Sequence, residues 1–431
     1  MACNTQAVEL NDAIRSTNPY VLDMLSEKGL NIFFPKKGIL AQTAESKNLK
    51  INATIGISLE DDGEPMVLDS LNTMLSVEKG SFSYAPSYGN PDIRALWKEM
   101  LFKKNPSLSN RAISLPVVTS ALTHGLSMAG YILINPGDTI ITPDLYWENY
   151  DLIFKHTYGA QFSTFPTFID NKSFNIKGME EQLNAGPAGK KIVVLNFPNN
   201  PTGYTVTETE AQEIKDVLIR SAQKGNTITV LIDDAYFGLV YEDGIIPESM
   251  FSVLADAHER ILAVKFDGPT KEDYVWGFRV GFVTFGVAKN SEQLYRALES
   301  KMAGAIRATI SSASNLSQYL LYNAYRTPDY SEQKREKFNI LKRRYQKIRS
   351  IFHNHPEYSE YIEPLPNNSG YFMCLKMKNE KAEATRRTLM EKYGTGVISQ
   401  KGLLRVAFSS IPYDSLDQLF ENIYRAARET V

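Results

Sequence analysis

The chain has 431 residues, of which 43% are hydrophobic and 22% charged, and its formal net charge is -2 at pH 7. This composition is typical of a globular protein, and the length suggests two or three domains. Because 47 basic and 49 acidic residues nearly balance, no charge excess attracts nucleic acid or an anionic membrane, and we expect small-molecule partners instead.

Cysteine and histidine usage predicts neither a disulfide framework nor a metal site. Cys3 and Cys374 lie far apart and outside any CxxC pattern, and the five histidines form no ligand spacing such as HExxH. The first residues, MACNTQAVELNDA, lack the basic-then-apolar pattern of a signal peptide, and the longest apolar stretch is too short to span a bilayer. We therefore expect a cytoplasmic protein.

The first part of the chain, residues 1–64, combines a predicted helix (NPYVLDMLSEKG), an irregular arm and a strand that ends in INATIGISLEDDGEP. Gly56 lies in the apolar run of that strand, where a glycine indicates either the close approach of a ligand or a simple strand irregularity. The following segment, SFSYAPSYGNPDIRALWKEML, predicts a loop and then a helix with Pro91 near its first turn.

From residue 115 onwards, short β-branched runs alternate with helical segments. The runs are PVVT, DTIITP, KIVVLN, TITVLI, ILAVKF and RVGFVTF, and one helix between them opens with Thr207 and Glu210 as a capping box. This alternation predicts an α/β fold with a mostly parallel, doubly wound sheet covered by helices on both faces.

Ligands in such sheets bind beyond the carboxyl ends of the strands. Four strand exits carry distinctive polar residues, namely Ser120, Asn200, Asp233 and Lys271. Their convergence at one edge of the sheet would build a single site. The alternative is that each is an ordinary turn residue, because loops after strands are rich in Ser, Asn and Asp.

The stretch ILAVKFDGPTKEDYVWGFRVGFVTFG, which begins at residue 261, is the most informative of the chain. A lysine at the tip of a buried strand is desolvated, so its amine is a nucleophile near neutral pH and can hold an aldehyde as a Schiff base. Arg279 follows Lys271 between Gly277 and Gly281, and its guanidinium suits a phosphate. Aldehyde plus phosphate points to pyridoxal phosphate, whereas the alternative is an ordinary surface loop.

The C-terminal part begins with a long helical region, residues 291–355, whose dense charge indicates a solvated helix face. A strand-helix-strand-helix tail follows and predicts a smaller α/β unit that packs with the N-terminal arm. We predict an N-terminal arm with part of the small domain (1–64), a large cofactor-binding domain (65–325) and a small C-terminal domain (326–431).

Taken together, these motifs resemble the fold-type I pyridoxal-phosphate enzymes, in particular the class I aminotransferases close to aspartate and aromatic aminotransferases. The resemblance rests on YAPSYGNPDIR, VVTSALTHG, PDLYWENY, FPNNPTG, DDAYFG, the lysine stretch and LLRVAF, in this order. It implies a large domain with a seven-stranded sheet, a small domain built from both termini, and a homodimer. It also implies transfer of an amino group from an acidic or aromatic amino acid to a 2-oxo acid such as 2-oxoglutarate.

The resemblance assigns roles to residues around the cofactor. Lys271 would bond covalently to pyridoxal phosphate and then move a proton at the substrate's Cα. Asp233 would face the pyridine nitrogen and keep it protonated. Tyr236 and Asn200 would donate to the phenolate oxygen of the ring. Trp147 would stack on the ring, with Tyr146 as a close second.

The resemblance also identifies the phosphate and substrate contacts. Arg279, Thr270 and the Ser120-Ala121-Leu122 turn would hold the phosphate, with Tyr84 contributed by the neighbouring subunit. Arg405 would bind the α-carboxylate of the substrate, and Gly56 would close over the site. Arg307 would reach the neighbouring site and contact the distal carboxylate of a substrate; the alternative is an interface or helix-end arginine.

Three departures from the family pattern concern the cofactor site. Gly268 stands where the family usually has a phosphate-binding serine, Ala121 and Leu122 replace a more polar pair, and Tyr150 replaces a histidine that would support Asp233. These changes predict a phosphate cup with few hydroxyl donors and leave the substrate open.

Two other functions remain compatible with the sequence. A C-S β-lyase or a decarboxylase would use the same cofactor and break a different bond. A non-catalytic ligand-binding or regulatory protein could have kept the fold, although Lys271, Asp233 and Arg405 together argue against this hypothesis.

Overall fold

The structure is a computed structural model that describes residues 4–17, 25, 30–31, 38–72, 77–378 and 380–430. The helix predicted for residues 18–29 lies outside the described residues, except for position 25. The helices of the described part are Thr5–Thr17, Ile39–Glu45, Asp69–Asn72, Pro91–Lys104, Ala121–Leu133, Ile176–Asn184, Glu208–Gln223, Met250–Leu254, Pro269–Glu272, Glu292–Thr309, Asn315–Ala324, Tyr330–Asn354, Ala382–Tyr393 and Leu416–Glu429.

Fifteen strands are present in the described residues. In chain order they are β1 (Ile51–Asn52), β2 (Val117–Thr119), β3 (Thr139–Pro143), β4 (Gln161–Phe165), β5 (Phe168–Ile169), β6 (Ser173–Phe174), β7 (Lys190–Asn196), β8 (Thr227–Asp233), β9 (Ile261–Asp267), β10 (Gly281–Gly286), β11 (Ile362–Pro364), β12 (Phe372–Met377), β13 (Thr395–Gly396), β14 (Ile398–Gln400) and β15 (Leu403–Ala407).

The large sheet has seven strands in the order β2-β10-β9-β8-β7-β3-β4. Strands β4, β3, β7, β8 and β9 are parallel to one another, whereas β10 is antiparallel to both β9 and β2. The β-branched runs predicted as strands form six of the seven. The predicted α/β fold with a mostly parallel sheet is therefore confirmed.

Successive residues of a strand point to opposite faces of the sheet, and here both faces are buried. Val194 belongs to one hydrophobic cluster, together with Leu126 of the helix Ala121–Leu133. Its neighbour Val193 belongs to a second cluster, together with Ile214 of the helix Glu208–Gln223. The sheet is thus covered by helices on both sides, as the continuous apolar sequences of its strands predict.

A smaller antiparallel sheet has the order β11-β12-β15-β14. Nearby, β1 pairs in parallel with β13, in the register Ile51 with Thr395. The N-terminal strand therefore joins the C-terminal part of the chain, as predicted for a small unit built from both termini. The boundaries at residues 64 and 325 stay predictions. No helix of the described residues is both long enough and apolar enough to cross a membrane.

Candidate active site

The carboxyl ends of the central strands bring the candidate residues to one edge of the sheet. Asn196 at the end of β7 pairs in register with Asp233 at the end of β8, which in turn pairs with Phe266 of β9. A cavity of about 340 Å³ lies beyond these ends. Eight of the residues singled out in the sequence line it, namely Lys271, Asp233, Tyr236, Asn200, Trp147, Leu122, Gly56 and Arg405.

Lys271 lies one turn beyond β9, in the short helix Pro269–Glu272. Its Nζ is 5.2 Å from the centroid of the Tyr236 ring, and its backbone carbonyl accepts a hydrogen bond of 2.9 Å from the Tyr371 hydroxyl. Burial lowers the pKa of Lys271 and the charge of Arg279 lowers it further, although Asp233 opposes both. The site therefore favours the neutral, nucleophilic amine more than water does.

Asp233 is 3% exposed, and its carboxylate accepts two hydrogen bonds. The Tyr150 hydroxyl donates to Oδ2 at 2.5 Å, and the backbone N–H of Ala235 donates to Oδ1 at 3.1 Å. Burial raises the pKa of Asp233, whereas the hydrogen bond from Tyr150 and the charge of Lys271 lower it. A carboxylate in this position can pair with a protonated ring nitrogen.

Arg405 approaches the cavity from β15 in the small sheet and is 4% exposed. Its Nη1 donates to Asn200 Oδ1 at 3.4 Å and its Nη2 to the Thr54 carbonyl at 3.3 Å, while its Nε has no partner. The guanidinium also stacks on Phe372 at 4.5 Å. No carboxylate of the described residues forms an ion pair with it, so this buried cation suits the carboxylate of a ligand.

The turn before the helix Ala121–Leu133 forms a tight cup against β10. The N–H of Ser120 donates to His124 Nδ1 at 3.1 Å, and Ala121 has a left-handed φ of 65°. A Cβ added to Gly281 would lie 2.6 Å from the carbonyl carbon of Ala121 and 2.8 Å from the nitrogen of Leu122. The glycine is therefore required for this close approach.

Two further phosphate candidates lie beside this cup without lining the cavity. The buried hydroxyl of Thr270 has no hydrogen-bond partner. Arg279 is exposed, with a left-handed φ of 54°, and its Nη1 donates to the Trp276 carbonyl at 3.3 Å. It lies two residues before Gly281, which contacts the cup, and its charge lowers the pKa of Lys271.

Tyr84 and Arg307 are not brought to this cavity by the single chain. Tyr84 is 93% exposed, and its loop also carries Phe82, which is 81% exposed. Arg307 is exposed near the end of the helix Glu292–Thr309. Their roles stay predictions.

The cavity also contains residues that the sequence did not single out. Ile39, Thr43, Ile55 and Phe372 line it from the side of the small unit. Their side chains are apolar or short, and the sequence alone does not distinguish such residues in a binding site from those in a hydrophobic core. Asn196 also lines it and ends the run KIVVLN, so the strand-exit rule could have found it.

The residues present fit pyridoxal phosphate. The cavity volume lies within the range of small-molecule sites. The unpartnered Thr270 hydroxyl and the glycine-lined cup suit a phosphate, Asp233 suits a ring nitrogen and Lys271 suits an aldehyde. The unpartnered Nε of Arg405 is left for a substrate carboxylate.

Comparisons with known proteins agree with this geometry. An aspartate aminotransferase of Bacillus sp. (strain YM-2) is 27% identical over 370 residues, which cover 84% of this chain and 86% of the relative. The aspartate aminotransferase of Bacillus subtilis (strain 168) is 25% identical over 409 residues, covering 90% and 95%. The solved aminotransferase from Anaerococcus prevotii DSM 20548 shares the fold, with a TM-score of 0.83 at 23% identity and coverage of 94% and 99%.

The sequence pattern of one family extends over most of the chain. The family described as "Aminotransferase class I and II" matches residues 50–423. This range contains β1 to β15 and every residue that lines the cavity except Ile39 and Thr43. The chain therefore belongs to the class I and II aminotransferases, and it is a transferase of amino groups that depends on pyridoxal phosphate.

Proposed function

We propose that this aminotransferase moves the amino group of an acidic or aromatic amino acid to a 2-oxo acid such as 2-oxoglutarate. The observation that carries the proposal is the common cavity of Lys271, Asp233 and Arg405. Relatives named aspartate aminotransferase and a solved aromatic amino acid aminotransferase from Burkholderia cenocepacia support the choice of donors. Location in the cytoplasm stays a prediction.

When bound, pyridoxal phosphate supplies an aldehyde that takes up the amino group and a ring that withdraws electrons from the substrate's Cα. In our proposal Arg405 holds the α-carboxylate, which orients the amino acid in the cavity. The Lys271 amine then takes the proton from Cα, as its lowered pKa favours. Asp233 keeps the ring nitrogen protonated.

The remaining candidates complete this site. Asn200 and Tyr236 line the cavity and would donate to the ring oxygen, while Trp147 would stack on the ring. Tyr146 does not line the cavity; its hydroxyl faces Asp151 at 3.3 Å, which supports Trp147 over Tyr146.

The phosphate would lie in the cup between Ala121, Leu122 and Gly281, beside Thr270 and Arg279. Ser120 would contribute by its position rather than by its N–H, because His124 accepts that hydrogen bond. Gly56 would close over the substrate from the small unit.

We also propose a homodimer in which Tyr84 and Arg307 reach the neighbouring site. The exposed rings of Phe82 and Tyr84 support an interface, because large exposed aromatic side chains on one loop are typical of contact surfaces. Two hydrogen bonds fix the backbone of this segment: the Asn315 side chain donates to the carbonyls of Gly80 and Ser83 at 3.1 and 3.0 Å.

The test begins with the cofactor-free protein, to which pyridoxal phosphate is added. The wild type should become yellow and Lys271→Ala should form no covalent bond with the cofactor. Single amino acids should then bleach the yellow band without release of ammonia. Pyruvate with ammonia would instead indicate a C-S β-lyase, carbon dioxide a decarboxylase, and a colourless protein a non-catalytic binding function.

Substrate choice is tested at Arg307. Arg307→Ala should reduce kcat/KM for aspartate and leave phenylalanine unaffected, if the arginine contacts the distal carboxylate. Arg296→Ala is the matched control, since Arg296 is an exposed arginine of the same helix that pairs with Glu292 at 2.5 Å. An unchanged preference would remove Arg307 from the substrate pocket.

A further inference from the structure

The helix that carries Lys271 is too short to hold its own position. It spans only Pro269–Glu272, and one backbone hydrogen bond closes it, from the N–H of Asp273 to the Pro269 carbonyl at 2.9 Å. Isolated helices of this length are not stable in water. The direction in which Lys271 points must therefore be set by contacts outside the helix.

Lys271 and its neighbour Glu272 face different cavities. Lys271 lines the active-site cavity, whereas Glu272 lines another cavity, of about 810 Å³, together with Lys104 and Lys334. Successive residues of a helix are rotated by about 100° from each other. One helical turn can thus present a reactive amine to the active site and an anchoring carboxylate to its other side.

Two lysines from different helices bind the carboxylate of Glu272. Lys104, the last residue of the helix Pro91–Lys104, donates to Oε1 at 2.7 Å, and Lys334 of the helix Tyr330–Asn354 donates to Oε2 at 3.0 Å. The Glu272 side chain is 4% exposed, against 20% and 26% for the two lysines. Each carboxylate oxygen therefore has its own cation, and the two ion pairs tie the short helix to two longer ones.

Asp273, the next residue, is anchored to the same region. Its buried carboxylate accepts hydrogen bonds from the hydroxyls of Tyr330 at 2.7 Å and Tyr325 at 2.9 Å, and Lys334 lies 2.9 Å from Oδ1. Burial and the charge of Asp273 raise the pKa of both phenols well above the ordinary value. Both tyrosines therefore keep their protons and remain donors near neutral pH.

The ion pairs of Glu272 also persist near neutral pH. Burial alone would raise the pKa of Glu272, but the charges of Lys104 and Lys334 outweigh it and lower the pKa. Burial alone would lower the pKa of Lys334, but Asp273 and Glu272 raise it well above the ordinary value. The anchor therefore stays charged in the pH range in which Lys271 gains and loses its proton.

We propose that Glu272 is a positioning residue for Lys271: the ion pairs of its carboxylate with Lys104 and Lys334 fix the short helix and so hold the Lys271 amine in place in the active-site cavity. The inference rests on the proposed role of Lys271 as the residue that bonds to pyridoxal phosphate. It adds three described residues that line the other cavity and act through the backbone that they fix.

The test separates covalent from non-covalent uptake of the cofactor. Pyridoxamine phosphate has the same ring and phosphate but an amine in place of the aldehyde, so it cannot bond to Lys271. In Glu272→Gln, an amide NH2 group replaces one carboxylate oxygen and faces a lysine. We expect the cofactor-free variant to take up pyridoxal phosphate covalently about 10- to 100-fold more slowly than wild type, as absorbance would show. Its Kd for pyridoxamine phosphate, measured by calorimetry, should be unchanged.

Catalysis should show the same separation. The kcat of Glu272→Gln should fall to a similar extent, because Lys271 also moves the proton at Cα in the proposed reaction. KM for the amino acid should stay nearly unchanged, because Arg405 binds the carboxylate from another strand.

Two further variants complete the design. Lys104→Met is milder, because Lys334 still pairs with Glu272, and it should slow covalent uptake in the same direction. Glu299→Gln is the matched control, since Glu299 is a buried carboxylate that pairs with Arg94 at 3.0 Å and lines neither cavity. It should lower the melting temperature without changing the rate of covalent uptake.

A wild-type rate of covalent uptake in Glu272→Gln, or in Lys104→Met if the first variant does not fold, would overturn the inference. A loss of affinity for pyridoxamine phosphate as large as the loss in covalent uptake would overturn it too, because a loosened fold affects both ligands. Covalent uptake by Lys271→Ala at the wild-type rate would instead overturn the proposed role of Lys271.

Discussion

Gly281 and Gly277 flank Arg279 in surroundings that differ sharply. A Cβ at 281 would lie 2.6 Å from the carbonyl carbon of Ala121 and 2.8 Å from the nitrogen of Leu122, whereas one at 277 would meet no atom within 4 Å. Neither glycine has a positive φ. Alanine at the two positions therefore differs in the space that it needs and not in backbone conformation.

We expect Gly281→Ala to push the backbone of Ala121 and Leu122 outwards by several tenths of an ångström, because ordinary contacts of a Cβ begin near 3.4 Å. Overpacking of this kind costs about 1–3 kcal/mol. If the displacement falls on the phosphate cup, pyridoxal phosphate should bind about 5- to 150-fold more weakly. Gly277→Ala should change the free energy of unfolding by less than about 0.5 kcal/mol.

The assay titrates pyridoxal phosphate into the two cofactor-free variants and into wild type, and follows absorbance to obtain Kd. Thermal unfolding of the same samples reports the strain in the fold. A wild-type Kd in Gly281→Ala would refute the assignment of the cup. A lower melting temperature would show in addition that the added Cβ strains the fold.

Three other variants test the site and the charges behind it. Arg405→Lys should raise KM for the amino acid by about 10- to 100-fold because the two-pronged contact is lost, and an unchanged Kd for pyridoxal phosphate is its internal control. Lys265 pairs with Asp234 and lies 3.5 Å from Asp267, and all three side chains are buried. Lys265→Met leaves the two carboxylates without this cation, so urea titration should reveal a loss of about 3–5 kcal/mol; a loss below about 1 kcal/mol would contradict this. Burial raises the pKa of Asp267 to about 6. The folded state therefore keeps this proton at a pH where the unfolded chain has lost it. The contribution of Asp267 to the free energy of unfolding of the wild type should fall as the pH rises from about 4 to about 6. Asp267→Asn should lack this fall, as urea titrations at several pH values would show.

The sequence predicts the central sheet well because its strands are buried on both faces and so appear as continuous β-branched runs. The sequence does not predict the edge strand β4, QFSTF. Its burial is mixed and its sequence includes polar Gln161 and Ser163, so it lacks the apolar run of a central strand. Strand β10 was predicted, but its antiparallel direction follows from tertiary pairing with β9 and β2 rather than from its own residues.

The site was predictable where strand order determines it. Asp233 ends β8 and Lys271 lies one turn beyond the end of β9, so the rule for parallel sheets is enough to place them at the same edge. Arg405 comes from β15 of the other sheet, and only the resemblance to a family connected it to the cavity. Phe372 and Ile39 carry no chemical signal, because apolar side chains at a site and in a core look alike in a single sequence.

Two of the departures from the family pattern, Gly268 and Leu122, lie against each other. A Cβ at 268 would lie 3.1 Å from Cδ1 of Leu122 and 2.9 Å from the carbonyl oxygen of Val280, so the leucine fills the space beside the glycine. A serine at 268 and the present leucine would compete for the same volume. The same Cβ would also lie 3.0 Å from Cα of Gly281, so a serine at 268 would require the backbone of β10 as well as the leucine to move. Thr270 supplies an unpartnered buried hydroxyl in the short helix that follows. Asp233 and Arg405 are positioned by other elements, β8 and β15, whereas Lys271 lies three residues beyond Gly268 in the short helix that this glycine precedes.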